Sequence, residues 1–245
     1  MIRHLLVIGA QRCGTTYLHT MLDAHDQVTM ARPANPEPKV FCSDEATGRG
    51  AEWYRETYFA HADAELLLGE KSTSYLEDPE APARAVGMLG EVHVLAILRD
   101  PVKRAISNWR FSTDNGLETR SLETALSENL AGPRAWDPGR TSVSPFAYLE
   151  RGRYVDYLVP WLSAFPTTSH VLFLEELLTD GHPPEGLWAA LGVAPELAPR
   201  DQDQAVNQSP GAPPVLSADL LGTLEAYYQK SNRALCVHLG RDLPW

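Results

Sequence analysis

The 245-residue sequence predicts an α/β fold, a P-loop-like three-layer sandwich with a central parallel sheet flanked by helices. Three observations point to it. Short unbroken aliphatic runs alternate with amphipathic stretches of helical period, the pattern of strands covered on both faces by crossover helices. The first such run passes into a glycine-bounded loop and then a helix. Polar clusters follow the runs at Gln11–Thr16, Glu70–Ser74 and Arg99–Ser107, at the carboxyl ends of strands, where open α/β sheets bind ligands.

The run His4–Ile8, closed by Gly9, reads as a central strand. Thr15–His25 places Tyr17, Leu18, Met21 and Leu22 on one helical face, which makes Tyr17 a core residue rather than an exposed stacking ring. The stretch ARPANPEPKVF carries too much proline for a helix and reads as an extended loop. A helix over Glu52–Phe59 and a short buried strand over Leu66–Leu68 follow, the latter leading into GEKSTSYL. Asp78–Leu89 is helical, with prolines near its start.

Val92–Leu98, VHVLAIL, is the clearest strand, and it runs into Arg99-Asp100-Pro101. Pro101 suits the first turn of a helix that continues to about Phe111. Residues Ser112–Ser144 are polar with Gly and Pro, a partly helical excursion over the surface that suits a role in shaping a binding pocket. Tyr154–Phe165 is an amphipathic helix, Val171–Leu174 a buried strand, Gly186–Leu191 a short helix and Ala194–Pro214 a Pro-rich loop. Leu216–Leu239 returns to helical periodicity. No repeat, linker or boundary interrupts the chain, so 1–245 reads as a single domain.

The formal charge, 21 − 32 = −11, argues against nucleic-acid binding, which needs a broad basic face, but leaves room for a small anion in a local basic pocket. No stretch approaches the roughly 20 apolar residues of a membrane span, and the N-terminal run, broken by Gln11 and Arg12, does not form a secretory signal. Cys13, Cys42 and Cys236 are widely spaced and fit neither a disulfide framework nor a zinc site. The expectation is a cytoplasmic protein with free thiols, Cys13 being a small residue that fits its loop.

The segment Gly9-Ala10-Gln11-Arg12-Cys13-Gly14-Thr15-Thr16 has the GxxxxG spacing of a phosphate-binding loop. Backbone N–H groups at a helix N-terminus point at an anion there, and the hydroxyls of Thr15 and Thr16 add donors. A nucleoside-triphosphatase loop carries lysine after its second glycine; here Thr15 stands in that place and the cation is moved inward to Arg12. A guanidinium keeps its charge and can donate two parallel hydrogen bonds. The loop therefore suits one anionic group and a leaving oxygen, without a metal. Arg99, at a strand end, can fork onto a second phosphate, and Ser107, almost two turns into the next helix, can donate from its wall. Taken alone, Arg99 could instead pair with Asp100 and Ser107 could be a solvated helix residue.

These residues resemble the sulfotransferases that use 3′-phosphoadenosine 5′-phosphosulfate (PAPS). The loop is similar to their 5′-phosphosulfate loop, which commonly reads Lys-x-Gly-Thr-Thr, with Arg12 replacing the lysine and Gln11, Cys13, Gly14, Thr15 and Thr16 completing the contact set. LAILRDPVKRAISNW is similar to their 3′-phosphate segment, with Arg99 and Ser107 at the matching places. EWYRETYF, LLLGEKSTSYL, YLERGRYVDYLVPWLSAFP and SNRALCVHLGRDLPW extend the resemblance over nearly the full chain, toward the carbohydrate (heparan sulfate)-type branch. The resemblance implies transfer of a sulfuryl group from PAPS to a hydroxyl of a carbohydrate or other small molecule, with PAP as product.

In that branch the general base is a glutamate in a Lys-Glu-x-His-Phe-Phe-like segment after the first helix. Pro36-Glu37-Pro38-Lys39-Val40-Phe41 occupies that place, which makes Glu37 the candidate base, although Pro36 and Lys39 depart from the pattern. The hydroxysteroid and phenol branch uses a histidine near the GEKSTSYL segment, which holds none; His25 and His61 stand in no motif. Lys71 can lean toward the sulfate or acceptor and favours an ionised Glu37, or can pair with Glu70 or another carboxylate. Glu70 reads as structural. A late segment around Arg200 and Asn207 is expected to order over the cofactor. Two other readings stand beside this one: a P-loop kinase-like transferase, which Thr15 in place of lysine disfavours, and an inactive PAP-binding module.

Overall fold

The computed structural model describes residues 3–63, 65–137, 139, 143–184, 186–197 and 214–245. Its strands and α-helices are, in chain order, β1 (Arg3–Gly9), α1 (Thr15–Asp23), β2 (Val28–Met30), α2 (Asp44–Gly48), α3 (Gly50–Tyr58), β3 (Leu67–Lys71), α4 (Ala81–Leu89), β4 (His93–Leu98), α5 (Pro101–Asp114), α6 (Leu122–Asn129), α7 (Tyr154–Ala164), β5 (Ser169–Phe173), α8 (Leu174–Asp180), α9 (Gly186–Ala190) and α10 (Ala218–Leu239). They fall into two compact units, one within 1–98 and 157–206, the other within 99–156 and 207–245.

The first unit is built on a five-stranded parallel sheet of order β2-β3-β1-β4-β5. In β1, Leu5, Leu6, Val7 and Ile8 are all at 0% exposure, which is why this strand shows no polar alternation. Burying each such side chain contributes about 1.5–3 kcal/mol. On α1 the buried residues are Thr15, Tyr17, Leu18, Met21 and Leu22, the stripe expected of a helix laid on a sheet.

Three local expectations are corrected. The three-residue strand β2 follows α1 closely and is too short to leave a periodic signal; it exists because it pairs with β3 in the register Val28↔Leu67. The strand expected at Leu66–Leu68 is displaced to Leu67–Lys71, leaving Leu66 45% exposed and drawing Gly69-Glu70-Lys71 into the ladder. Leu174 begins α8 rather than ending β5, an abrupt change that an apolar run conceals.

The second unit packs Val102 and Ala105 of α5 with Leu122, Ala125 and Leu126 of α6, Tyr148, Leu149, and Leu220, Leu224 and Tyr228 of α10. Pro101 opens α5 and Asp100 caps it, accepting the N–H of Val102 at 2.8 Å and of Lys103 at 3.1 Å. The excursion from Ser112 is helical at α6, where Ser121 is the cap. The late loop with Arg200 and Asn207 lies outside the described residues. Among the described residues no helix is long and apolar enough to cross a membrane.

Candidate active site

In the first unit, β1 lies between β3 and β4, where the connectivity of the sheet switches direction. The loop leaving β1 therefore opens at the place where an α/β sheet forms its crevice. Ala10 N–H donates to Ile97 O at 2.8 Å and ties the loop to β4. Arg12 holds a left-handed φ of 65°, uncommon for a residue with a side chain, and Gly14 holds φ 88° as the residue before α1. A Cβ at Gly14 would stand 2.6 Å from Leu174 Cδ1, so glycine answers both to the backbone angle and to the packing. Gly14, the residue at the start of α1, has no side chain with which to cap the helix. Gln11, Arg12 and Thr16 are half-buried and Thr15 is buried. Cys13 is fully buried, its Sγ 3.7 Å from Gln11 O, as a packing residue would be.

The segment after β3 closes against this loop. A Cβ at Gly9 would lie 3.1 Å from Leu76 Cβ and 3.4 Å from Thr73 O. On the same segment the structure brings Glu37 and Lys71 together: Lys71 Nζ donates to Glu37 Oε1 at 2.6 Å, with side-chain exposures of 12% and 17%. Thr73 completes the grip, its N–H donating to Glu37 Oε2 at 2.9 Å and its hydroxyl to the same oxygen at 3.0 Å. A carboxylate has about four lone-pair sites, so this arrangement orients Glu37 and still leaves capacity for a proton from outside. Lys71 thus pairs with Glu37, and Glu70 is occupied elsewhere.

Glu70, at 0% exposure, accepts three hydroxyls: Tyr54 at 2.7 Å, Ser72 at 2.6 Å and Tyr75 at 2.5 Å. Burial pushes its carboxyl above the usual range, against the pull of Ser72, Tyr75 and Tyr54. Tyr54 and Tyr75 are pushed well above the usual phenol range, first by burial and then by the Glu70 charge.

Two residues here went unassigned in the sequence. Thr73 sits inside the polar cluster Glu70–Ser74, two places beyond Lys71, but nothing in its spacing shows that it faces Glu37. His19 lies one turn beyond Thr16 on α1; burial holds its imidazole below the ordinary value, with Asp23 acting against this, Lys71 and Arg32 with it and Glu37 against. Those four charges show His19 within electrostatic reach of the Glu37–Lys71 pair. The i, i+3 spacing from Thr16 was the available signal. Tyr17 is core, its hydroxyl reaching Gly181 O at 3.4 Å. His25 stacks on Trp188 at 4.8 Å and His61 contacts Met30 O at 3.2 Å, both away from any acid–base arrangement.

In the second unit, Arg99 is half-buried and its carbonyl accepts the Tyr154 hydroxyl at 2.7 Å. Among the described residues its guanidinium forms no salt bridge, and Asp100 is engaged as the helix cap. Ser107 is half-buried on α5. After α5 lies an open pocket of about 490 Å³ lined by Arg120, Glu128, Asn129, Gly132, Arg134 and Phe146. The Arg134 and Arg120 guanidiniums stand 5.4 and 5.9 Å from the Phe146 ring centre.

Residues 3–180 match the family model of the sulfotransferase domain. The chain is 27% identical to mouse heparan sulfate glucosamine 3-O-sulfotransferase 3A1 over 98% of its own length and 63% of that protein's. It is 31% identical to human heparan sulfate glucosamine 3-O-sulfotransferase 5 over 73% of this chain and 49% of that one. The chain thus spans less than two thirds of the length of each of these two relatives. In fold it is similar to the crystal structure of a sulfotransferase from Alicyclobacillus acidocaldarius, with a TM-score of 0.76 at 23% identity, covering 99% of this chain and 98% of that one.

Proposed function

The chain belongs to the sulfotransferase domain family, and from that premise we propose that it transfers a sulfuryl group from PAPS to an acceptor hydroxyl by in-line displacement, releasing PAP. The observation that carries this reading is the packing of the Thr73–Leu76 segment, which grips Glu37, against Gly9 at the root of the anion loop. A proton acceptor and an anion cradle are thereby built into one rigid neighbourhood.

The donor set fits the cofactor chemically. PAPS supplies an activated sulfuryl group on a good leaving phosphate. Arg12 neutralises charge on the departing phosphate, while amides of the loop and the hydroxyls of Thr15 and Thr16 hold its oxygens. Arg99, which forms no salt bridge among the described residues, and Ser107 take the 3′-phosphate. Glu37 accepts the acceptor's proton, Thr73 fixes its orientation, and Lys71 lends positive charge to the carboxylate and to the transferring group. No metal is assigned a part, because Arg12 and Lys71 supply the cationic charge.

The acceptor is read as a carbohydrate hydroxyl, supported by relatives whose names specify a glucosamine of heparan sulfate. A lipid head group or secondary metabolite carries the same nucleophile. The Arg32–Val40 loop and the excursion lined by Arg134 and Phe146 are assigned to acceptor choice. The whole of 1–245 is read as one catalytic domain, and the cytoplasm as its place, a setting that suits the free thiols Cys13, Cys42 and Cys236.

The test is incubation with radiolabelled PAPS and a panel of glycan, lipid and small-molecule hydroxyls, with and without a chelator. Labelled acceptor and stoichiometric PAP are expected in both conditions. PAP binding without transfer to any acceptor would favour an inactive binding module, and ATP-dependent, chelator-sensitive transfer a kinase.

A further inference from the structure

We propose that Glu70 is a positioning residue for Glu37, acting through the hydroxyls of Ser72 and Tyr75 to fix the segment that carries the base. This rests on the assignment of Glu37 as the proton acceptor.

Two relays start at one oxygen. Ser72 donates to Glu70 Oε1 at 2.6 Å and accepts the N–H of Lys39 at 2.9 Å. Tyr75 donates to the same oxygen at 2.5 Å and accepts the N–H of Phe41 at 3.3 Å. The direction of each relay is forced. A backbone amide can only donate, so each hydroxyl must accept from it and send its own proton elsewhere. The acceptor at hand is Glu70 Oε1. The hub is itself held rigid: Glu70 lies on β3, Tyr54 donates to its other oxygen at 2.7 Å, and Trp161 Nε1 donates to Tyr75 O at 3.2 Å.

The consequence falls on Glu37. Lys39 stands at a left-handed φ of 53°, where the chain turns from the base into the short helical turn Val40–Cys42. Glu37 is therefore pinned twice, at its carboxylate by Lys71 and Thr73, and through the backbone two and four residues later by Ser72 and Tyr75. Before the base the chain is anchored by the N–H groups of Ala31 and Arg32, donating to Gly69 O and Tyr58 O at 2.7 and 2.9 Å, and after it by those of Lys39 and Phe41, so the two relays fix the side of the loop nearer the base. Glu70 touches neither substrate nor the reacting atoms; it decides which way the anchoring hydroxyls point.

A fully apolar replacement separates positioning from stability. Tyr54→Phe, Glu70→Leu, Ser72→Ala and Tyr75→Phe together remove the four side-chain partners at once, so no carboxylate or hydroxyl among them is left buried without a partner; only the Lys39 and Phe41 N–H groups lose their acceptors, and the variant should fold with a lowered Tm. It is expected to bind PAP within about twofold of wild type while kcat falls about 10²-fold, the cost of a base displaced by about an ångström. Glu70→Gln alone keeps an acceptor at Oε1 and should recover about tenfold of that loss. Wild-type kcat in the folded apolar variant, or a Glu70→Gln loss equal to that of the apolar variant, overturns the proposal. Should the apolar variant not fold, Ser72→Ala decides: a clear drop in kcat at unchanged PAP affinity supports the relay, and unchanged kcat overturns it. Glu37→Gln is assayed alongside. If it keeps full kcat, the base assignment itself fails; if it is inactive while the relay variants are normal, only the positioning role fails.

Discussion

Lys71 Nζ lies 2.6 Å from Glu37 Oε1 while the Thr73 N–H and hydroxyl close on Oε2, so one carboxylate is held from two sides by partners 34 and 36 residues away. Such a grip fixes orientation without consuming every lone pair. Glu37→Gln keeps the shape and removes the carboxylate proposed as the proton acceptor. It should lower kcat by about 10²–10⁴-fold and leave PAP affinity nearly intact. Steady-state kinetics with calorimetric PAP binding measure both, and an unchanged kcat would send the search for the base to another residue, with His19 the first to try.

Arg12, proposed as the cation of the anion loop, is held in an uncommon left-handed conformation. Arg12→Ala should cost about 10²–10³-fold in kcat, as for loss of one preorganised donor at a developing charge. Single-turnover kinetics read the chemical step directly; near-normal turnover would remove Arg12 from the leaving-group role.

Arg99 forms no salt bridge among the described residues, so its removal strands no carboxylate among them. Arg99→Ala should weaken PAP binding by about 1.5–3 kcal/mol, the worth of a charged hydrogen-bonding contact. Binding of an analogue lacking the 3′-phosphate should change far less. Equal losses for both nucleotides would take the 3′-phosphate away from Arg99.

His4 is buried against Tyr54 and Phe59, and burial, with a smaller push from Arg55, lowers its pKa to about 4. The folded state thus resists a proton that the unfolded chain takes up at about 6.5. Below that pH the unfolded chain binds more protons, so stability is full above about 6.5 and is lost as pH falls toward 4. The loss is on the order of 3 kcal/mol from this residue alone. His93 and His170, stacked at 6.1 Å and both lowered by burial, act in the same direction. Denaturant melts from pH 7.5 to 4 should show His4→Leu with a shallower acid decline than wild type; parallel declines would contradict the burial argument.

Much of the fold was legible because its signals are contiguous. β1, β4, α1, α5 and α10 each carry a complete pattern within one window: an unbroken aliphatic run, an apolar stripe, or a proline and a capping residue at a helix start. β2 and the shifted β3 were not legible, because a three-residue strand is stabilised by the neighbour it pairs with rather than by its own composition. The junction at Leu174 failed for a related reason: a buried run looks alike whether it ends a strand or begins a helix. At the candidate site, Gln11–Thr16 could be proposed from sequence because one short stretch of chain contains them all. Thr73 and His19 could not, since their importance lies in facing residues distant in sequence.

Local sequence determined the strand–loop–helix at Gly9–Thr16, the α/β layering and the chemical types available, because backbone propensity, side-chain period and loop spacing act over a few residues. Tertiary structure alone decided that Lys71 faces Glu37 instead of Glu70, and that Glu70 feeds two hydroxyl relays. Lys71 and Glu70 are adjacent on β3, and consecutive strand side chains point to opposite faces. Which carboxylate each face meets depends on how the segment at residue 37 crosses the sheet, a long-range packing outcome that short-range preferences do not encode.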